Sequence, residues 1–175
     1  PSNTPAKTQL QPLVEAGTAA GVSKLILSNV VLRARCTRSY SPLTVERALA
    51  DLQAFTSLQT LELFIIQMRG WLTDHHEPLQ LAALSALPCL RLLSLFCSLS
   101  WGAMAIQVPA LQQLRTLDVG VCGPVTASVF FQACLPALTE FRVNTRHIAD
   151  VTAFSPDALP ALRQLAVARS PPACQ

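Results

Sequence analysis

One short phrase is written six times in this chain, and it constrains the fold more than any other feature. Leu114, Leu117 and Val119 recur as Leu138, Phe141 and Val143, and again as Leu162, Leu165 and Val167, each time 24 residues on. The same step backwards reaches Leu90, Leu93 and Leu95. A step of 32 then reaches Leu58, Leu61 and Leu63, and a step of 36 reaches Val22, Leu25 and Leu27. Repeats of roughly 20–50 residues signal a stacked array, because no single unit can bury its own apolar face and its neighbours must do so.

Each copy has two parts. The x-L-x-L-x portion alternates at period two, which is the strand rule. It predicts a parallel sheet of six strands centred near 24–28, 60–64, 92–96, 116–120, 140–144 and 164–168. Leu25, Leu61, Leu93, Leu117, Phe141 and Leu165 should then stack as one buried column. The connectors carry helical spacing. In "TVERALADLQAF" (44–55), Val45, Ala48, Leu49 and Leu52 share a face and Thr44 is placed as an N-cap. "LQLAALSAL" (79–87) and "TASVFFQACL" (126–135) read as two more helices. Pro88, Pro109, Pro136 and Pro160 then end each helix and set the chain for the next strand.

Composition narrows the function. Apolar residues make up 51% of the chain and charged residues 13%, which excludes a disordered polymer. Runs such as "LILSNVVL" and "LAALSALPCLRLL" are interrupted well before the ~20 residues of a spanning helix, so no membrane segment is expected. The net charge of +3 is scattered without a basic stripe and interleaved aromatics, which argues against nucleic acid. Cys36, Cys89, Cys97, Cys122, Cys134 and Cys174 form no CxxC pair and mostly lie in apolar stretches. Free thiols are expected, with Cys97, Cys122 and Cys134 buried, in an intracellular protein, cytoplasmic or nuclear. The chain opens at Pro1 and neither end looks like a polar cap, so we expect an excerpt of something longer.

The phrase L-x-x-L-x-L, over residues 22 to 172, resembles the leucine-rich repeat. The long, uneven units are similar to the ribonuclease-inhibitor-like and F-box-associated subclasses, and the "G-x-I-P" of the extracellular plant type is absent. Where that family carries Asn or Cys, this chain has Val30, Ile66, Ser98, Cys122, Arg146 and Ser170. Cys122 fits, the two serines could supply part of the same ladder, and the other three depart from it. The resemblance implies an α/β solenoid with a parallel concave sheet of about six strands and helices or irregular connectors on the convex side. It implies one domain over 1–175, with repeats at about 22–57, 58–89, 90–113, 114–137, 138–161 and 162–175. It further implies a non-enzymatic protein-binding domain, such as the substrate-binding part of an F-box-type ubiquitin ligase receptor whose F-box would lie upstream of Pro1. Two rivals are a regulatory or immune-sensor repeat attached to a nucleotide-binding domain, and a targeting arm of an enzyme whose catalytic domain lies elsewhere.

Alternation then names the outward residues. One column is Lys24, Thr60, Leu92, Thr116, Glu140 and Gln164. The next is Ile26, Glu62, Ser94, Asp118, Arg142 and Ala166, and the third is Ser28, Phe64, Phe96, Gly120, Asn144 and Ala168. Phe64 and Phe96 fall side by side, with Ile26 and Leu92 near them and Lys24, Glu62, Asp118, Glu140 and Arg142 around them. An apolar centre with a charged rim is how a protein-binding patch is built. The partner-binding candidates are therefore Phe64, Phe96, Glu62, Leu92, Asp118, Glu140 and Arg142. The competing reading is that the two rings are covered by another element or pack on each other.

No catalytic, cofactor or metal site is expected. In "TDHHEP" (73–78), His75 and His76 are adjacent and point apart on a helix or a strand, whereas zinc ligands come at helical or hairpin spacing. A solvated loop accounts for that stretch better. No G-x-S-x-G, Gly-rich phosphate loop or Cys–His pair occurs. Trp71 and Trp101 read as packing residues in the connectors, and His147 as a turn residue.

Overall fold

The structure, a computed structural model, describes residues 21–31, 49–66, 79–98, 102–131, 134–150 and 159–168. It contains eight strands in chain order: β1 (Lys24–Val31), β2 (Thr60–Ile66), β3 (Leu79–Gln80), β4 (Leu92–Ser98), β5 (Gly102–Val108), β6 (Thr116–Phe131), β7 (Glu140–Asp150) and β8 (Gln164–Ala168). All pair in parallel within one sheet. The six expected strands begin β1, β2, β4, β6, β7 and β8. Their register follows the repeat: Leu25 pairs with Leu61, Leu61 with Leu93, Leu93 with Leu117, Leu117 with Phe141 and Phe141 with Leu165.

The inward column is dry at its centre. Leu61, Leu93, Leu117 and Phe141 are fully buried, as are Leu63, Leu95 and Val119 one step along. The expectation fails at the ends of the stack. Leu25 is only partly buried, and Leu165 is 49% exposed because, among the described residues, β8 has a strand neighbour on one side only.

A backbone spine links the copies. The N–H groups of Gln59 and Thr60 both donate to the carbonyl of Ser23. Those of Arg91 and Leu92 share the Gln59 carbonyl, and those of Arg115 and Thr116 share the Arg91 carbonyl. Thr139 with Glu140 and Arg163 with Gln164 repeat the pattern on Arg115 and Thr139, all at 2.8–3.0 Å. Just before each strand the chain makes a tight turn. The N–H of Leu58, Leu90, Leu114, Leu138 and Leu162 donates to the carbonyl three residues back at 3.0–3.3 Å. Pro88, Pro136 and Pro160 occupy the second position of such turns, where a fixed φ near −65° is favourable. Pro88, Pro136 and Pro160 thus shape the turn before each strand, and Pro109 lies two residues before its turn.

The connectors depart from the helical expectation. Residues 126–131 of "TASVFFQACL" belong to β6, and Gly102–Val108 lies beside them as β5, with Ile106 opposite Val129. Val125, Thr126, Val129, Phe130 and Phe131 are β-branched or aromatic, and parallel pairing with β5 decides between two readings that local spacing leaves close. β6 passes from one ladder to the other at Gly123–Pro124, where its pairing with β7 also shifts register. Proline is tolerated in a strand at such an irregularity. "LQLAALSAL" forms β3 and a 3-10 turn (Ala82–Ala86), in which the Ser85 hydroxyl donates to the Ala82 carbonyl at 2.7 Å. In "TVERALADLQAF", residues 49–51 are helical and run into a 3-10 turn (Leu52–Ala54), with Leu49 and Leu52 buried as expected. Thr44, Val45 and Ala48 lie outside the described residues. His147 sits within β7, paired with Thr126, and is not a turn residue.

Candidate functional site

The outward side of β1, β2, β4, β6, β7 and β8 gathers the candidate residues on one face. Phe64 and Phe96 occupy paired positions of β2 and β4. Their rings stack with centroids 5.0 Å apart and planes 15° from parallel, a geometry that aromatic pairs favour. Phe64 is 38% exposed and Phe96 half-buried. Phe96 is held from its other side, because it lies over Gly120, its register partner on β6. A β-carbon on Gly120 would stand 2.7 Å from Phe96 Cδ1, so only glycine leaves room for the ring. The two phenylalanines therefore do pack on each other, and still present open aromatic surface. Ile26, 51% exposed, faces outward one row away, beside Glu62. Leu92 is half-buried at the head of β4, and Ser94 forms the floor between Leu92 and Phe96, buried at 8% exposure.

Charged groups flank the rings on both sides. On the β1 side, Lys24 Nζ lies 2.8 Å from Glu62 Oε1. On the β7 side, Arg142 donates to Glu140 Oε1 from Nε at 2.8 Å and from its terminal nitrogen at 2.5 Å. Asp118 is the register partner of Arg142. Burial raises the Asp118 carboxyl above its ordinary range; Arg142 opposes that shift and Glu140 adds to it. All seven sequence-named residues are thus on one surface, with the apolar ones towards β2 and β4 and the charged ones mainly towards β6 and β7.

Two features of this surface escaped the sequence reading. Gly120 is the seat of Phe96, which its place in the Phe column could have indicated. Arg91, Arg115 and Arg163 form a further exposed column, one residue before β4, β6 and β8. Their recurrence at a fixed offset from the leucines was the available signal.

Elsewhere, Cys89, Cys97, Cys122 and Cys134 are free thiols. Cys97 is buried as expected, but Cys122 is half-buried and Cys134 exposed, because Cys134 precedes the tight turn and does not sit on a helix face. Among the described residues no cluster of His, Cys, Asp or Glu could hold a metal ion. "TDHHEP", Trp71 and Trp101 lie outside them. No helix among the described residues is long and apolar enough to cross a membrane. Comparison with family models, curated proteins and solved structures returned no match.

Proposed function

We propose that this chain is a leucine-rich-repeat solenoid that binds a protein partner through the outward, concave side of its parallel sheet, without catalysis of its own. The observation that carries this reading is the Phe64–Phe96 stack, left 38% exposed at Phe64, with Ile26 and Leu92 near it and charged residues on both flanks. Exposed aromatics on a rigid sheet cost solubility and add little to folding, and a few such side chains usually dominate an interface. The 24-residue step, the in-register leucines and the shared-carbonyl spine support the solenoid part of the reading. Within that reading, the resemblance favours a substrate receptor of the F-box type, acting in a reducing compartment where the thiols stay free.

The test is affinity capture with the wild-type chain beside the Phe64→Ala/Phe96→Ala double variant, both first shown folded by circular dichroism. A protein retained by the wild type and lost by the variant supports the reading. Each truncation should cost that complex roughly 2 kcal/mol or more if the rings are hot spots. Equal recovery would move the interface off this face.

A further inference from the structure

The arginine column carries information about the partner. Strict alternation would turn Arg91, Arg115 and Arg163 to the same side as Leu93, Leu117 and Leu165. The spine prevents that. Two successive N–H groups aimed at one carbonyl set two residues against one, as in a β-bulge. Arg91 and Leu92 consequently both reach solvent, as do Arg115 and Thr116. The arginines thus lie exposed at the N-terminal ends of β4, β6 and β8, at the edge of the sheet that carries Phe64 and Phe96.

The charges of this face do not balance. Glu62 is paired with Lys24 and Glu140 with Arg142, which also lies near Asp118, so the five cations named on this side of the sheet exceed its three carboxylates by two. Arg91, Arg115 and Arg163 have no acidic partner among the described residues. Arg91 and Arg115 are also neighbours, since Leu92 pairs with Thr116, so their backbones are about 5 Å apart. Like charges side by side on adjacent strands oppose folding. An anionic ligand would reverse the sign of that interaction.

We infer that the partner presents an extended acidic peptide segment, with carboxylates over Arg91 and Arg115 and an apolar or aromatic side chain against the Phe64–Phe96 stack. The inference rests on the partner-binding reading above and gives it a chemistry. Spacing makes it specific. Arg91, one residue before β4, is five residues from Phe96, so an extended path between them spans up to roughly 16 Å at about 3.3 Å per residue. An extended partner laid along β4 then needs its acidic group four to six residues from its anchor. Leu92 and the shallow Ser94 lie on the path between them, which leaves room for small intervening side chains.

The experiment is selection of a random twelve-residue phage-displayed peptide library on the full 175-residue chain, followed by fluorescence anisotropy of the enriched peptides. The expected winners carry Asp or Glu four to six residues from Trp, Phe or Leu, and bind more weakly as salt rises. Their Kd should rise at least tenfold on Arg91→Glu/Arg115→Glu and also on Phe64→Ala/Phe96→Ala. Arg91→Gln/Arg115→Gln, which keeps these surface positions polar, should give a smaller loss in the same direction. Sensitivity to the Phe pair with none to the Arg pair would overturn the acidic inference and leave the aromatic site standing. Indifference to both pairs would overturn the two together. Enrichment of basic or neutral peptides, or of none, would overturn the inference. Arg-dependent binding of a twelve-nucleotide single strand more tightly than any selected peptide would overturn it in favour of nucleic acid.

Discussion

Phe96 lies over Gly120, with its ring edge 2.7 Å from the point where any β-carbon at that position would stand. The contact couples two strands on the outward face and fixes how the Phe64–Phe96 stack leans. Gly120→Ala should therefore push the ring aside and destabilise the protein by about 1–3 kcal/mol, the usual cost of overpacking. Chemical denaturation measures this. In the Phe96→Ala background the same change should cost far less, because the clashing atom is gone.

Burial of the leucine column ranks its members. Leu117 is fully buried between Leu93 and Phe141, so Leu117→Ala should cost about 2–5 kcal/mol. Leu165 occupies the same column but is 49% exposed, and Leu165→Ala should cost less than about half as much. Equal losses at the two positions would mean that β8 is covered in solution.

Thiol reactivity should divide along the same lines. Burial, helped by Cys122, pushes the Cys97 thiol up to about 12 from an ordinary value near 9.0. Alkylation at pH 8 should label exposed Cys89 and Cys134 quickly and Cys97 only on unfolding. Because the folded value lies above the unfolded one, the unfolded chain ionises first. Stability from this group is present below about pH 9 and is lost between about pH 9 and about pH 12. Replacing Cys97 by Ala should flatten that part of the stability–pH curve.

Asp118 gives the acid-side counterpart. Burial holds its carboxyl above the ordinary range, despite Arg142. Its contribution is therefore greatest at low pH, where the group is neutral in both states, and falls as pH rises through the folded value. Asp118→Asn should be neutral or stabilising at pH 7 and lose that advantage near pH 3. Denaturation midpoints at the two pH values decide it, and a variant destabilised at pH 7 would contradict the assignment.

Six strand starts and their register were legible in the sequence because the apolar pairs recur at the repeat step and alternate by the pleat. Leu93 and Leu117 face each other across adjacent strands, as the 24-residue step implies. The second ladder was not legible. Val125 to Phe131 is short, and its apolar spacing suits a helix or a strand; the deciding partner, Gly102–Val108, is chosen by the tertiary fold. Likewise, parity placed Phe64 and Phe96 outward but could not say that they stack. The arginines were missed because two-residue alternation assigns them inward, and only the doubled hydrogen bonds on each spine carbonyl put them in solvent.

That spine also separates strand count from chain length. The interval from Ser23 to Gln59 is 36 residues and from Arg91 to Arg115 is 24, yet each ends with two N–H groups on one carbonyl. Extra residues are accommodated between the strands without displacing the next strand. The connecting segments can thus lengthen, shorten or acquire new side chains while the outward face keeps its spacing. In such a scaffold the outward face and the connectors between strands are free to change independently of each other.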